Sequence, residues 1–226
     1  MENLIQVEKI GPYKISIFQD TDTYNPLGEF DHVGEFALYD GRHLVSTNKK
    51  GSPYSDITAQ REWIISHRND IFLLYAVTSY EQDGRTFGTL AEKMTKEYLE
   101  GFLWDASGFY YITKGEAKTE WPEWTKYPGK EKRLSRREMA KLNMEGTIQT
   151  LSDFYEGNVY GFVVERKGVE MEEGSLWGRY GLDYCLSEAK ALVLSDAMRR
   201  MTEKLGAKRE FWQDPKTEKC WHSFKL

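Results

Sequence analysis

Apolar and polar residues alternate along Tyr13-Lys14-Ile15-Ser16-Ile17-Phe18, the two-residue period of a strand with one buried side. Gly11-Pro12 supplies a turn before it. Gly34–Tyr39 reads as a second strand and Phe109–Thr113 as another. Ile71–Thr78 is a continuous apolar run of strand length, which predicts a central strand. Gly157–Glu165 places β-branched and aromatic residues between glycines, again a strand.

Helical spacing replaces alternation elsewhere. Ile57, Trp63, Ile64 and Ile65 predict a helix over Ile57–His67, capped by Asp56. Leu90, Met94, Tyr98 and Leu99 predict one over Thr89–Trp104, interrupted near Gly101. A third is announced by Ser135-Arg136-Arg137-Glu138, the capping-box pattern. It should run to about Tyr155, with Met139, Leu142, Ile148, Leu151 and Tyr155 on one side and Gly157 as its left-handed stop. A last helix is expected from Ser187 to Gly206, with Ala189, Leu192, Val193, Ala197 and Met201 inward. Gln19–Asp31 and Gly115–Lys132 read as loops, and Phe211–Leu226 as a tail with aromatic anchors. The expected fold is α+β: a mainly antiparallel sheet with about four helices packed on it. Residues 1–226 read as one domain, with a possible subdivision near 115–134.

Composition narrows the class. The chain is 40% hydrophobic and 30% charged, an ordinary globular balance. A net charge of −5 gives no general attraction to nucleic acid or anionic lipid. Met1–Ile10 lacks the pattern of a secretory signal, and the run Ile71–Val77 is too short for a membrane helix. With Cys185 and Cys220 alone, no disulfide framework is implied, and a cytoplasmic chain with reduced thiols is expected.

Four stretches carry candidate chemistry. From Gln19 to Asp40 there are Asp20, Asp22, Glu29, Asp31, Glu35 and Asp40 and no Lys or Arg. Asp20, Asp22 and Asn25 have oxygen donors suited to Mg²⁺ or Ca²⁺, although the spacing is not that of an EF-hand. Backbone hydrogen bonds in turns account for the same residues more simply. A third reading is an acidic patch, through Asp20, Asp22, Asp31 and Glu35, that docks a basic partner. The second stretch interleaves Trp121, Trp124 and Tyr127 with Lys126, Lys130, Lys132, Arg133, Arg136 and Arg137. Cations that track phosphates and rings that stack on bases suit single-stranded nucleic acid. Glu116, Glu120, Glu123 and Glu131 dilute that charge, and a solvated loop is the plainer reading. Arg136 and Arg137 fall in the first turn of a helix, where the macrodipole disfavours cations and local acids or a partner anion must compensate.

The third stretch, Gly178-Arg179-Tyr180-Gly181, resembles a phosphate-cradling turn but lacks the full fingerprints, so a tight turn packed by Trp177 and Tyr184 is the plainer reading. The fourth is Cys185, placed just before a helix start, where a thiolate is favoured. His32, His43, His67 and His222 are scattered, so no local base pairs with it, and a structural cysteine is expected. No hydrolase, zinc-protease or kinase signature occurs. No cofactor is expected.

The chain resembles a family of accessory proteins, of no established activity, encoded by phages, plasmids and integrated elements of bacteria. The likeness rests on Tyr13-x-Ile15-x-Ile17, Gln19-Asp20-x-Asp22-x-x-Asn25-Pro26 and Asp31-x-x-Gly34. It continues with Trp104-Asp105, Gly108-Phe109-x-Tyr111-Ile112-Thr113 and Tyr155-x-Gly157-x-Val159-Tyr160-Gly161. It ends with Trp177-Gly178-x-Tyr180-Gly181-x-x-Tyr184-Cys185-x-x-Glu188-Ala189. The resemblance carries over no catalytic role. It implies a setting in the host bacterial cytoplasm, where such proteins often block a CRISPR effector, a restriction enzyme or another defence complex. A non-enzymatic inhibitor of a defence complex is therefore the leading expectation. A metal-dependent nuclease or nucleotide-processing enzyme using Asp20 and Asp22, and a single-strand binder, are the alternatives.

Overall fold

The structure is a computed structural model that describes residues 3–24, 26, 33–40, 43–46, 56–79, 86–125, 132–205, 211–213 and 220–222. The fold is α+β with antiparallel sheets. The chain forms two compact units: Met1–Asp20 with Tyr160–Leu226, and Thr21–Val159.

The first unit is built on a four-stranded sheet. Its strands are β1 (Asn3–Ile10), β2 (Tyr13–Gln19), β10 (Val159–Arg166) and β11 (Val169–Tyr180), in that spatial order. Tyr13, Ile15 and Ile17 alternate onto one face, as their period requires. There they meet Phe162 and Val164 of β10 and Cys185, Ala189 and Val193 of a long helix, Leu182–Leu205. Strand β1, which has no counterpart among the sequence expectations, lies at the sheet edge with Leu4, Ile5, Val7 and Ile10 exposed. Its exposure explains the omission: a strand that buries nothing shows no clean alternation. The tail forms a two-stranded ribbon, β12 (Phe211–Gln213) with β13 (Cys220–His222).

The second unit holds a five-stranded sheet in the order β4 (His43–Ser46), β3 (Glu35–Asp40), β7 (Gly108–Thr113), β5 (Ile71–Ser79), β6 (Thr86–Leu90). Helices cover both of its faces. Phe36, Leu38, Leu73, Tyr75, Tyr110 and Ile112 point to one side, against helices α3 (Lys114–Glu120) and α4 (Arg136–Tyr155). Leu74, Ala76, Phe109 and Tyr111 point to the other, against α1 (Ile57–Ser66) and α2 (Lys96–Phe102). A strand buried on both faces must be apolar throughout, which is why Ile71–Val77 reads as an unbroken run. The helix Leu182–Leu205 of the first unit is α5.

Several local signals act as written. Asp56 accepts from the Ala59 amide at 2.8 Å and caps α1. Ser135 and Glu138 form both halves of the capping box of α4. That helix ends in a Schellman motif: the Asn158 amide donates to Asp153 O, the Gly157 amide to Phe154 O, and Gly157 has φ +71°.

Other expectations are corrected. Thr89 and Leu90 belong to strand β6, and α2 starts only at Lys96, with Thr95 as its cap. Gly88 explains the strand: a Cβ there would come 2.3 Å from Ile148 Cδ1, so its bareness lets α4 lie against β6. Gly115–Lys132 is not one long loop, because α3 occupies its beginning, opened by a Thr113/Glu116 capping box. Helix α5 starts at Leu182 rather than Ser187, since Trp177–Tyr180 continues β11 and Gly181, at φ +86°, turns the chain directly into the helix. Leu142 and Met201, expected inward, are exposed, while Ala140 and Met144 take the buried positions on α4.

Candidate partner-binding surface

Strand β8 (Trp124–Thr125) pairs with β9 (Leu134–Ser135), so that Trp124 stands opposite Ser135. This short ribbon joins Trp124 to the residue that caps α4. Its base is fixed by two further bonds. The Arg136 amide donates to Glu123 O at 3.0 Å, and Arg136 Nε donates to Trp121 O at 2.8 Å. Trp121 is the C-cap of α3, so the guanidinium sits at the negative end of one helix while its backbone starts another. That resolves the awkward first-turn position of Arg136 without a partner anion.

The two tryptophans have opposite roles. Trp121 is 7% exposed and belongs to the core under α3 and α4, so its assignment to a partner surface is corrected. Trp124 is 57% exposed. Trp121, at the C-cap of α3, packs with Ala117, Ala140 and Met144, whereas Trp124 lies on the ribbon that follows. Lys132, Arg133 and Arg137 are exposed and form no ion pair among the described residues. The Glu138 carboxylate is bound by the Ser135 hydroxyl and amide, which holds its pKa below the ordinary value. Lys130 lies outside the described residues.

Two of the acidic residues are bound within the fold. Asp20 belongs to the first unit and accepts from the Gly178 amide at 2.9 Å. The stretch Gly178-Arg179-Tyr180-Gly181, at the end of β11, thus spends a backbone donor on an internal carboxylate, and Arg179 pairs with Glu188. Asp22 and Glu35 belong to the second unit, Asp22 exposed and Glu35 bound by the Tyr111 hydroxyl. Asn25 and Asp31 lie outside the described residues. Among the described residues no group of three His, Cys, Asp or Glu side chains is placed to hold a metal ion.

Cys185 is buried in the first turn of α5, among Ile15, Val164 and Ala189. Burial pushes its thiol up to about 11, with Glu188 adding to the rise. Packing, rather than thiolate chemistry, is what this site favours.

The densest polar cluster of the first unit has no counterpart in the sequence expectations. Asp196 is 6% exposed and accepts from Tyr13 Oη at 2.9 Å, Arg200 Nε at 2.7 Å and Arg199 Nη2 at 2.6 Å. Burial pushes its carboxyl up, but the donors from Arg200, Arg199 and Tyr13 prevail and lower it to about 2. The Asp196-x-x-Arg199-Arg200 spacing, at three and four residues, was the available signal.

Among the described residues no helix is long and apolar enough to cross a membrane. No family model, curated protein or solved structure matches the chain.

Proposed function

We propose that the chain is a non-enzymatic binding protein of a bacterial mobile element that inhibits a host defence complex in the bacterial cytoplasm, and that the β8–β9 ribbon is its contact surface. The observation that carries this reading is Trp124, 57% exposed and paired with Ser135, whose chain neighbours include Lys132, Arg133 and Arg137, three exposed cations without an ion pair among the described residues. Tryptophan and arginine dominate the energetics of protein interfaces, because a large ring and a planar cation lose little entropy on docking. Here both sit on a base held by backbone pairing, a capping box and Arg136. The complementary surface is acidic with an apolar recess for the indole. The resemblance to mobile-element accessory proteins supplies the setting, and the exposed residues supply the surface.

The test is a tagged pull-down from host lysate after nuclease treatment, comparing the wild type with Trp124→Ala and with Arg133→Glu/Arg137→Glu. A near-stoichiometric host protein complex is expected for the wild type, weakened at least about tenfold by either variant, as loss of a central anchor requires. A complex that both variants retain removes this surface. Loss of all bound material on nuclease treatment would instead assign the ribbon to single-stranded nucleic acid, whose affinity falls steeply with salt.

A further inference from the structure

The first unit contains a second place for a ligand, independent of the ribbon. A cavity of about 420 Å³ lies between the β10–β11 turn and the last half of α5. Its cations are Arg166, Lys167, Arg199 and Arg200, and its acids are Glu170, Glu172 and Asp196. Four cations and three acids line it, and Glu203, just outside the lining, pairs with Arg199, so the charges around the cavity are close to balanced.

The cations are not equivalent. Asp196 holds Arg199 through Nη2 and Arg200 through Nε, and Arg199 also donates to Glu203 at 2.9 Å. The terminal nitrogens of Arg200 make no hydrogen bond among the described residues. Arg166 makes none either: its Nε is buried without an acceptor, and its guanidinium lies 5.9 Å from the centre of the Tyr13 ring. A buried donor without an acceptor is costly, which is why such groups commonly mark a place where something else binds. Tyr13 ties the two arginines together, since its ring carries Arg166 and its hydroxyl binds the carboxylate that orients Arg200.

The turn is set as well. Lys167 and Gly168 have φ of +53° and +82°, a two-residue hairpin turn, and the Lys167 amide donates to Pro12 O at 2.9 Å. The Arg200 guanidinium, oriented by Asp196 before a ligand arrives, spends little entropy on binding it.

We propose that this cavity binds a small molecule through a carboxylate gripped by Arg166 and Arg200, with Asp196 as the positioning residue. Two guanidinium forks match the two oxygens of a carboxylate. A monoanion disturbs the near balance of charge less than a phosphate dianion does. Glu170 and Glu172, exposed on β11, repel polyanions at the same walls.

The experiment follows the arginine Nε–H resonances of the full-length protein by NMR during titration with sodium benzoate, disodium phenyl phosphate or sodium chloride at matched ionic strength. A saturable shift of the Arg166 signal with benzoate is expected, with a weaker response to phenyl phosphate and none to chloride. Benzoate affinity, read from amide shifts around Val169 and Asp196, should fall about tenfold in Arg166→Gln, the scale of one lost charge-assisted hydrogen bond. Arg166→Lys keeps the charge but not the fork, and should lose most of the same affinity in a protein whose fold is undisturbed. Asp196→Asn should weaken binding less, through misplacement of Arg200. Equal shifts with chloride and benzoate, tighter binding of phenyl phosphate, or full affinity in Arg166→Lys would each overturn the assignment.

Discussion

The two units solve the same problem, a sheet with an apolar face, in different ways. In the second unit the sheet lies between α3 and α4 on one side and α1 and α2 on the other. In the first unit, α5 covers the face that carries Ile15, Ile17 and Val164, and edge strand β1 leaves Leu4, Val7 and Ile10 exposed. Burial on both faces asks every residue of a strand to be apolar. Burial on one face asks it of every second residue and frees the rest for charge. The sandwiched sheet adds to its packing neutral bonds such as the buried Thr86 amide on Ser152 Oγ, whereas the sheet of the first unit adds a buried charged cluster around Asp196.

The largest effect that would break this contrast concerns packing. Phe109, fully buried between β7 and the α1–α2 layer, should cost about 4 kcal/mol when changed to Ala, through lost transfer energy and a cavity that rigid neighbours cannot close. Val7→Ala on edge strand β1 should stay within about 0.5 kcal/mol. Urea unfolding followed by circular dichroism gives both values. Equal costs would mean that β1 is covered in solution by something the isolated unit does not show.

The middle-sized effect tests whether polar bonds anchor the first unit. Asp196→Asn should destabilise the protein by about 2 kcal/mol at neutral pH, the scale of hydrogen bonds to a charged group. The pH dependence has a definite sign. The carboxyl of Asp196 is lowered in the folded state, so its contribution is full above its unfolded pKa of about 4 and fades as pH falls towards about 2. The gap between wild type and variant in urea midpoint should therefore close over that acid range. A gap that stays constant from neutral pH to acid would show that the carboxylate charge is not what matters.

How far the sequence foretold this arrangement depended on whether a signal was local. The capping boxes, the Gly157 stop and the apolar run Ile71–Val77 each specify their structure within a few residues, and all were legible. The Thr113/Glu116 box was as legible as the Ser135/Glu138 box, but the prolines and charges that follow it argued for a loop. Non-local relations left no such trace. Nothing near Asp20 announces that its carboxylate binds Gly178, and nothing near Trp121 announces that its carbonyl receives Arg136. The acidic stretch reads as one patch because its residues are close in sequence, yet Asp20 is bound by the Gly178 amide and Glu35 by the Tyr111 hydroxyl. The basic stretch was recognised as a surface, but its separation into a core tryptophan and an exposed one required the structure.

The smallest of these effects sharpens the comparison where the second unit stops being pure packing. Ser135 closes the ribbon, pairs with Trp124 and caps α4, all through one residue. Its hydroxyl accepts from the Glu138 amide at 3.3 Å and donates to the Glu138 carboxylate at 2.6 Å. Changing it to Ala removes both bonds but leaves the backbone pairing with Trp124, so the expected cost is about 1 kcal/mol, the usual worth of a cap. The core beneath, with Ala140, Met144, Ile148 and Leu151, should not respond. Hydrogen exchange separates the two: amides of Arg137 and Glu138 should exchange faster in Ser135→Ala, while those of Ile148 and Leu151 keep their protection relative to the global stability. Acceleration spread evenly along α4 would mean that the cap holds the whole helix, and that the ribbon carrying Trp124 is fixed by the core rather than by its own hydrogen bonds.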